Sequence, residues 1–343
     1  MGSPPPDGPR ARSLARRAWE YGTTAVTIRR TRSCGKPIRR TRLPDELCPT
    51  SYVVELAQEA LRASARQPEQ PFFLTACFPD PHHPFTPPGR YWDMYDPDSI
   101  SVPTSLGSAG VTPALTHLRA ERAAGRANTL GTMPFAVDER ESREAIALSY
   151  GMISMVDDGI GRILQTLAEV GQLDNTVVIF TSDHGDFMGD HGLMLKSTLH
   201  YQGLVRVPFI WSEPGLSQPG VATAALHSTL DVARSVLARA GLQPYWGMQG
   251  MDLAASLADP AAAGQSAVLV EEDGHEVGFG FDAPARRRGY VRYSARIGAC
   301  RSMKGATGVS CMTWPPTRTR WSTCSMTRHT RRSVPDSSSG SRV

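Results

Sequence analysis

The chain has 343 residues, of which 40% are hydrophobic, and its formal net charge at pH 7 is +4. This length suffices for one large domain or two medium ones, and no apolar run reaches the roughly 18 residues of a membrane-spanning helix. The six cysteines form no CxxC pair, which argues against a zinc site or a disulfide framework.

The charge is distributed unevenly along the chain. Residues 1–47 carry a net charge of +7, residues 48–285 carry −15, and residues 286–343 carry +12. Two basic ends around an acidic body would suit a nucleic-acid-binding protein, which is one alternative for the function. The N-terminus has no apolar stretch of the kind found in secretory signals, so a cytoplasmic location is expected.

The first regular elements are predicted after a basic, irregular segment that covers residues 1–42. A helix is predicted to begin with Thr50 or Ser51 as its N-cap, because apolar residues then recur at helical spacing. The apolar run 71–78 predicts a buried strand. A proline-rich loop, residues 79–88, follows it.

The central part of the chain contains the longest predicted helix. Residues 101–140 are predicted to be an irregular excursion, and a helix over 142–170 follows, with Gly171 as its C-cap. The β-branched run 176–181 predicts a second buried strand. The tetrapeptide Ser182-Asp183-His184-Gly185 stands at the carboxyl end of this strand.

Three more elements complete the predicted domain. They are a strand at 207–211, a helix at 228–240 and an apolar run at 267–270. Strands that alternate with helices favour an α/β fold with a largely parallel sheet between covering helices.

The tetrapeptide and the loop after it suggest a chemistry. Asp183 offers a hard anionic oxygen suited to Ca²⁺ or Mg²⁺, and His184 can bind a metal or donate to an anionic substrate. Gly185 permits a tight turn, and Lys196 follows in the same loop. Because ligands of open α/β sheets bind beyond the carboxyl ends of strands, these residues predict a site for a tetrahedral oxyanion. Taken alone, the four residues also suit a capped turn without function.

Further motifs surround the tetrapeptide in a fixed order. They are His82-His83-Pro84, a D-x-x-[IV]-G segment at 157–161, a G-x-x-[DE]-N-T turn at 171–176, Lys196, Tyr201 and Arg206-Val207-Pro208. Over residues 43–285 this arrangement resembles the sulfatase family of the alkaline phosphatase superfamily, and arylsulfatases and choline-sulfatases in particular. The resemblance implies an α/β, alkaline-phosphatase-like fold with a mixed, mainly parallel sheet.

The resemblance also implies an activity, the hydrolysis of a small-molecule sulfate ester. It implies that Asp183 and His184 bind a divalent cation, Ca²⁺ first, with Mg²⁺ and Mn²⁺ as alternatives. Lys196 would contact the sulfate and leaving-group oxygens, and His82 would face the sulfate. His200 is a further candidate for the same pocket, whereas Asp186 and Asp190 suit an orienting role in the loop.

Two features of the family are missing from the sequence. Sulfatases carry a C/S-x-P-x-R motif, whose Cys or Ser becomes the formylglycine nucleophile, and two metal-binding aspartates near the N-terminus. The 343 residues contain no such motif and no such aspartate pair. The expectation is therefore an incomplete, N-terminally truncated member whose own activity is in doubt.

Residues 286–343 differ in composition from the rest of the chain. They include 12 Arg, 10 Ser and 7 Thr, and Asp336 is their only acidic residue. Back-translation of residues 302–330 in a shifted reading frame yields YEGRDWGELYDLAPDPHEMVDLFDDPAH, which resembles the E-L-Y-D-L segment near the C-terminus of sulfatases. The tail is therefore interpreted as frameshifted, with the shift near residues 285–290.

Three alternatives for the function stay open at this point. A phosphonate monoester or phosphodiester hydrolase of the same superfamily would share the Asp-His pair. A non-catalytic remnant would keep the fold without the reaction. A nucleic-acid binder would use the basic ends, although a frameshifted tail argues against it, so the expected partner is a sulfate ester without nucleic acid or membrane. The oligomeric state is left open.

Overall fold

The computed structural model describes residues 28–33, 36–108, 112–126, 134–197, 199–215 and 220–270, together with four short strands beyond them. The described residues up to Gly215 belong to one compact unit, and those from Gly220 to residue 270 belong to a second. The predicted domain boundaries at residues 42 and 285 stay predictions, because residues 1–27 and most of 271–343 lie outside the described residues. The frameshift prediction falls there too.

The first unit contains the following elements in chain order: β1 (Ile28–Ser33), β2 (Lys36–Arg39), α1 (Pro49–Ser64), α2 (Pro113–Ala123), β3 (Phe135–Ala136), α3 (Glu139–Glu169), β4 (Val178–Thr181), β5 (Leu193–Met194), α4 (Gln202–Val205) and β6 (Phe209–Ser212). Within the described part of the chain, no helix combines the length and the apolar character needed to cross a lipid bilayer.

Helix α1 confirms the first predicted helix, but its cap differs from the expectation. The N-cap is Cys48, whose Sγ accepts a hydrogen bond from the backbone N–H of Ser51. Thr50 and Ser51 lie inside the helix because Pro49 occupies its first position, where proline needs no backbone donor. Val54, Ala57 and Leu61 are buried along one face of the helix.

Helix α3 confirms the long central helix and begins three residues earlier than predicted. Asp138 and Glu141 form a capping box, in which each side chain accepts from the backbone N–H of the other residue. Leu148 and Met152 on this helix are part of the main hydrophobic core. The other members of that core are Phe85, Trp92, Phe135, Val137, Ala145, Met194 and Leu195.

The described strands form small antiparallel sheets. β4 pairs with β6, with Ile179 opposite Trp211, β3 pairs with β5, and β1 pairs with β2. The strands predicted at 176–181 and 207–211 are therefore present. Beyond residue 290 the structure describes β7 (Val291–Tyr293), β8 (Ala299–Arg301), β9 (Ser310–Thr313) and β10 (Ser322–Ser325). These four strands form an antiparallel sheet in the order β10, β9, β8, β7.

The prediction of a buried strand over residues 71–78 is wrong for this structure. The segment belongs to no strand pair among the described residues, and Phe73 is 80% exposed. Without a neighbouring strand its apolar side chains have no layer to pack into. Phe180 in β4 is also exposed, so that strand is only partly covered. The run 267–270 likewise forms no strand.

The second unit is organised around the fully buried carboxylate of Asp231. This residue lies in the first turn of α5 (Thr229–Arg239) and accepts hydrogen bonds from the backbone of Ser228 and Met251 and from the side chain of Gln265. A short helix, α6 (Ala254–Ala258), follows. The donors bonded to Asp231 among the described residues all lie in this unit.

Candidate active site

The Ser182-Asp183-His184-Gly185 turn leaves the end of β4, as predicted. A hydrogen bond within the turn stabilises its backbone, because Ser182 Oγ donates to the carbonyl oxygen of His184 at 3.0 Å. A second hydrogen bond attaches the turn to α4, because the N–H of Gly185 donates to the carbonyl oxygen of Leu204 at 2.8 Å. A Cβ atom at position 185 would lie only 1.9 Å from the carbonyl oxygen of Gly203. This position therefore requires glycine because of close approach.

His184 and Lys196 are in direct contact. His184 Nδ1 donates to the carbonyl oxygen of Gly185 at 2.9 Å. The neutral ring then has a lone pair on Nε2, and Lys196 Nζ lies 3.3 Å from that nitrogen. The structure thus brings Lys196 and His184, two residues predicted for the site, into contact.

A compact loop returns Lys196 to the turn. Backbone hydrogen bonds join Phe187 to Leu195 at 2.8 Å and Gly189 to Leu193 at 2.7 Å. Three non-glycine residues, Met188, His191 and Leu195, adopt positive φ angles. Because Phe187 and Leu195 are almost fully buried, packing in the core holds this unusual backbone in place.

A buried histidine ties the same loop to the excursion before α2. His191 Nδ1 lies 2.9 Å from Ser108 Oγ, and Ser105 Oγ donates to the carboxylate of Asp190. The His191 ring also packs against the ring of Tyr201, with 3.9 Å between the two ring centroids. Burial lowers the pKa of His191, Asp190 opposes this change, and Arg119 adds to it. The bond from Ser105 holds Asp190 within the protein, and its orienting role in the loop stays a prediction.

The carboxylate of Asp183 points to solvent. Burial raises the pKa of Asp183, but the hydrogen bond from the backbone N–H of His184 to Oδ1 at 2.8 Å, electrostatic attraction to His184 and a hydrogen bond from Ser182 together bring the pKa below its usual value. Oδ2 lies 3.5 Å from His184 Nε2. An ionised and accessible carboxylate oxygen is thus available beside the imidazole.

Asp186 lies deeper in the same site. Its Oδ1 is buried and has no hydrogen-bond partner among the described residues. Burial raises the pKa of this carboxyl, and electrostatic attraction to Lys196, His184 and His82 opposes the increase. The three side chains singled out in the sequence therefore all interact electrostatically with one carboxylate.

The His82-His83 pair in the proline-rich loop interacts electrostatically with the site, because His82 affects the pKa of Asp186 and Lys196 affects that of His83. His82 Nδ1 donates to the carbonyl oxygen of His83 at 2.6 Å, and the two rings stack with centroids 4.1 Å apart. Burial lowers the pKa of His83 to about 4, and His82 and Lys196 contribute to the decrease. The sequence interpretation selected His82, and His83 occupies the middle position of the same H-x-P motif.

His200 is buried in the turn before α4, with 9% of its surface exposed. Its role at the site stays a prediction. Asp183 and His184 could together give a divalent cation one carboxylate oxygen and one ring nitrogen, which are ordinary ligands of divalent metals. Among the described residues no group of three or more His, Cys, Asp or Glu side chains is placed to hold a metal ion, so the described shell would be partial.

Comparison with known proteins identifies the family. Residues 20–242 match the Sulfatase family. The arylsulfatase of Clostridium perfringens is 36% identical over 171 residues, which cover 50% of this chain and 33% of the relative. The choline-sulfatase of Rhizobium meliloti is 29% identical over 194 residues, which cover 55% of this chain and 36% of the relative. The chain thus spans about a third of the length of each of these relatives.

Solved structures with the same fold include two phosphonate monoester hydrolases. The protein from Silicibacter pomeroyi superposes with a TM-score of 0.67 at 21% identity, covering 88% of this chain and 62% of its own. The protein from Agrobacterium radiobacter gives 0.66 at 22% identity, covering 91% and 63%. A putative sulfatase, yidJ from Bacteroides fragilis, gives 0.57 at 22% identity, covering 77% and 52%. The chain therefore belongs to the sulfatase family of hydrolases and has its α/β, alkaline-phosphatase-like fold.

Proposed function

We propose that the site formed by Asp183, His184, Lys196 and His82 binds the sulfate group of a small-molecule sulfate ester for hydrolysis. The observation that carries the proposal is the contact between Lys196 Nζ and His184 Nε2, because it fixes a cation beside the turn at the end of β4. Two relatives, an arylsulfatase and a choline-sulfatase, support the substrate class.

Each side chain has a distinct part in this proposal. The ammonium group of Lys196 would stabilise negative charge on a sulfate oxygen and on the oxygen of the leaving group. His82 has its Nδ1 committed to the backbone, so only Nε2 is available to face the ester or to move a proton. His200 is proposed as a further member of the pocket.

A divalent cation is part of the proposal, with Ca²⁺ preferred and Mg²⁺ or Mn²⁺ as alternatives. Asp183 and His184 would hold it, and it would polarise an oxygen of the ester when bound. Ligation through His184 Nε2 would compete with Lys196, since both need the same lone pair. The formylglycine motif is absent from the sequence, so anion binding is the step that we assign to this chain itself.

Titration of the full-length chain with sodium sulfate tests the proposal. Lys196→Met removes the charge but keeps the length of the side chain, and we expect an affinity about tenfold lower, as for the loss of one charge-assisted hydrogen bond. Arg62→Met is the matched control, because it removes a cation from the far end of α1. Equal sulfate affinities of Lys196→Met and the unmodified chain would refute the proposed site.

A second candidate is a phosphonate monoester or phosphodiester hydrolase. The two superposed structures with TM-scores of 0.67 and 0.66 carry that activity in their names. Competition at the same site decides between the classes, with phenyl sulfate and phenyl phosphonate as probes. Tighter binding of phenyl phosphonate would favour the second candidate. Turnover of an aryl sulfate by this chain would refute a third possibility, a non-catalytic remnant.

A further inference from the structure

A second group of chemically active side chains lies in the second unit, around the carboxylate of Asp231. His227 Nδ1 lies 3.3 Å from Asp231 Oδ2, and the other ring nitrogen, Nε2, lies 2.9 Å from Ser256 Oγ. The three side chains therefore follow one another in the order hydroxyl, imidazole, carboxylate. A hydroxyl bonded to a base, which is itself bonded to an orienting carboxylate, is the arrangement that activates a serine for covalent catalysis.

The carboxylate of Asp231 is fixed by donors on both of its oxygens. The backbone N–H of Met251 donates to Oδ1, and that of Ser228 donates to Oδ2. The amide of Gln265 lies 2.9 Å from Oδ1 and 2.7 Å from Oδ2. Because Asp231 is fully buried, these protein groups hold it in place of water. Its orientation toward His227 is therefore part of the fold.

The contact with Asp231 determines which ring nitrogen of His227 carries the proton. A carboxylate accepts hydrogen bonds and does not donate them, so Nδ1 is the donor. The neutral ring then has its lone pair on Nε2, which accepts the hydroxyl proton of Ser256. Ser256 Oγ is thus bonded to a base that can remove its proton.

The serine and the histidine lie just below the surface of the second unit. Ser256 is 9% exposed, and the side chain of His227 is 18% exposed. The two residues before Ser256 in α6 are Ala254 and Ala255, which are exposed and carry only methyl side chains. No bulky side chain covers the serine from these two positions, so small acyl groups suit the site.

We propose that Ser256, His227 and Asp231 form a second reactive site, at which Ser256 attacks small carboxylic esters with an aryl leaving group. The hydroxyl proton passes to His227 Nε2 while Oγ forms a bond to the carbonyl carbon. The bond from that carbon to the phenol oxygen breaks, and His227 returns the proton to the phenolate. Water then cleaves the acyl–serine ester, which releases the acid and restores the hydroxyl.

The roles of the remaining groups follow from the same geometry. Asp231 is a positioning residue, because it holds the ring of His227 and does not touch the ester. Aryl esters are the substrate class because a phenolate leaves readily, so the rate depends mainly on the nucleophile and its base. The inference is independent of the proposed sulfate site, since its three residues all lie in the second unit.

Diisopropyl fluorophosphate tests directly for an activated serine in the full-length chain. Ser256 Oγ would form a bond to phosphorus while fluoride leaves and the proton passes to His227. Peptide mass spectrometry locates the label. Ser99 is the internal comparison, because it is exposed and its Oγ donates to the carbonyl oxygen of Asp96 instead of a histidine. Ser256 should be labelled about 100-fold faster than Ser99, as expected for a positioned base.

Two variants of His227 separate its role as a base from its role in packing. His227→Gln keeps a polar side chain and removes the base, so labelling of Ser256 should fall by about 100-fold while the circular dichroism spectrum stays unchanged. His227→Ala leaves space for a ring, so imidazole added to the solution should restore the labelling.

Phenyl acetate tests the substrate class. The unmodified chain should release phenol about 100-fold faster than Ser256→Ala, which lacks the nucleophile. Equal rates for the two proteins would overturn the proposed reaction.

A hydrogen bond with a purely structural role gives different results. It would join α6 to the residues before α5 without making Ser256 reactive. Labelling of Ser256 no faster than that of Ser99 would therefore overturn the inference, and so would equal labelling in His227→Gln. The comparison with Ser99 uses the unmodified chain, so it decides the question even if a variant fails to fold.

Discussion

Gly185 is the position where the smallest change should have the largest effect on the site. Replacement by alanine would place a Cβ atom 1.9 Å from the backbone oxygen of Gly203, whereas ordinary contacts begin near 3.4 Å. The turn would have to move by about 1.5 Å, because the obstructing atom belongs to the backbone and a well-packed interior does not yield freely.

The magnitude follows from two contributions. Overpacking of this kind costs about 1–3 kcal/mol, and displacement of the turn breaks the bond from the Gly185 N–H to Leu204, which is worth about 1 kcal/mol. The sum of about 2–4 kcal/mol corresponds to a fall in melting temperature of about 4–16 °C for a domain of this size. Sulfate affinity should fall as well, because Asp183 and His184 move with the turn.

Gly161→Ala is the matched control for Gly185→Ala. Gly161 lies in α3 with no atom within 4 Å of the position that its Cβ would take, so alanine should stabilise the helix by about 0.5–1 kcal/mol. Circular dichroism melts and sulfate titrations are recorded for both variants. A Gly185→Ala protein that melts within about 1 °C of the unmodified chain and binds sulfate equally well would refute the role assigned to this glycine.

Three further predictions concern the packing around the site. The pKa of His191 is lowered by burial although Asp190 opposes the decrease, so the unfolded chain takes up the proton first as the pH falls below about 6.5. The urea midpoint of the unmodified chain should therefore drop between about pH 7 and pH 5.5 more steeply than the midpoint of His191→Gln. Equal slopes would contradict this prediction. Leu148 is fully buried, so Leu148→Ala should lose about 3–5 kcal/mol of unfolding free energy. The control Leu242→Ala changes a residue that is 57% exposed, and its unfolding free energy should stay within about 0.5 kcal/mol of that of the unmodified chain. Similar losses for the two variants in urea unfolding would refute the assigned core. Phe73→Lys should raise the soluble fraction after expression, since a charge on an open apolar segment opposes edge-to-edge pairing; a lower soluble yield would speak against that reasoning.

The sequence was sufficient for elements whose signals are local. Helix α3 could be placed from its apolar period and from Gly171, which follows it with φ of 71°. The turn at Asp183-His184 could be placed because a β-branched run ends there. Resemblance to a family then joined Lys196 and His82 to that turn, although neither is adjacent to it in the chain.

Other features depended on contacts that no local pattern encodes. The run 71–78 has the composition of a buried strand, but burial requires a layer on each side, and Phe73 lacks one here. The return of the loop relies on left-handed backbone at Met188, His191 and Leu195, and methionine and leucine give no sequence signal of that conformation.

The bond between His184 and Lys196 joins residues only 12 positions apart. Closing so short a loop has a small entropic penalty compared with bringing distant segments together. This half of the site can therefore assemble early in folding and without waiting for the ends of the chain. Because residues 183–196 form one continuous stretch, the insertion or loss of remote segments would leave the contact between His184 and Lys196 in place.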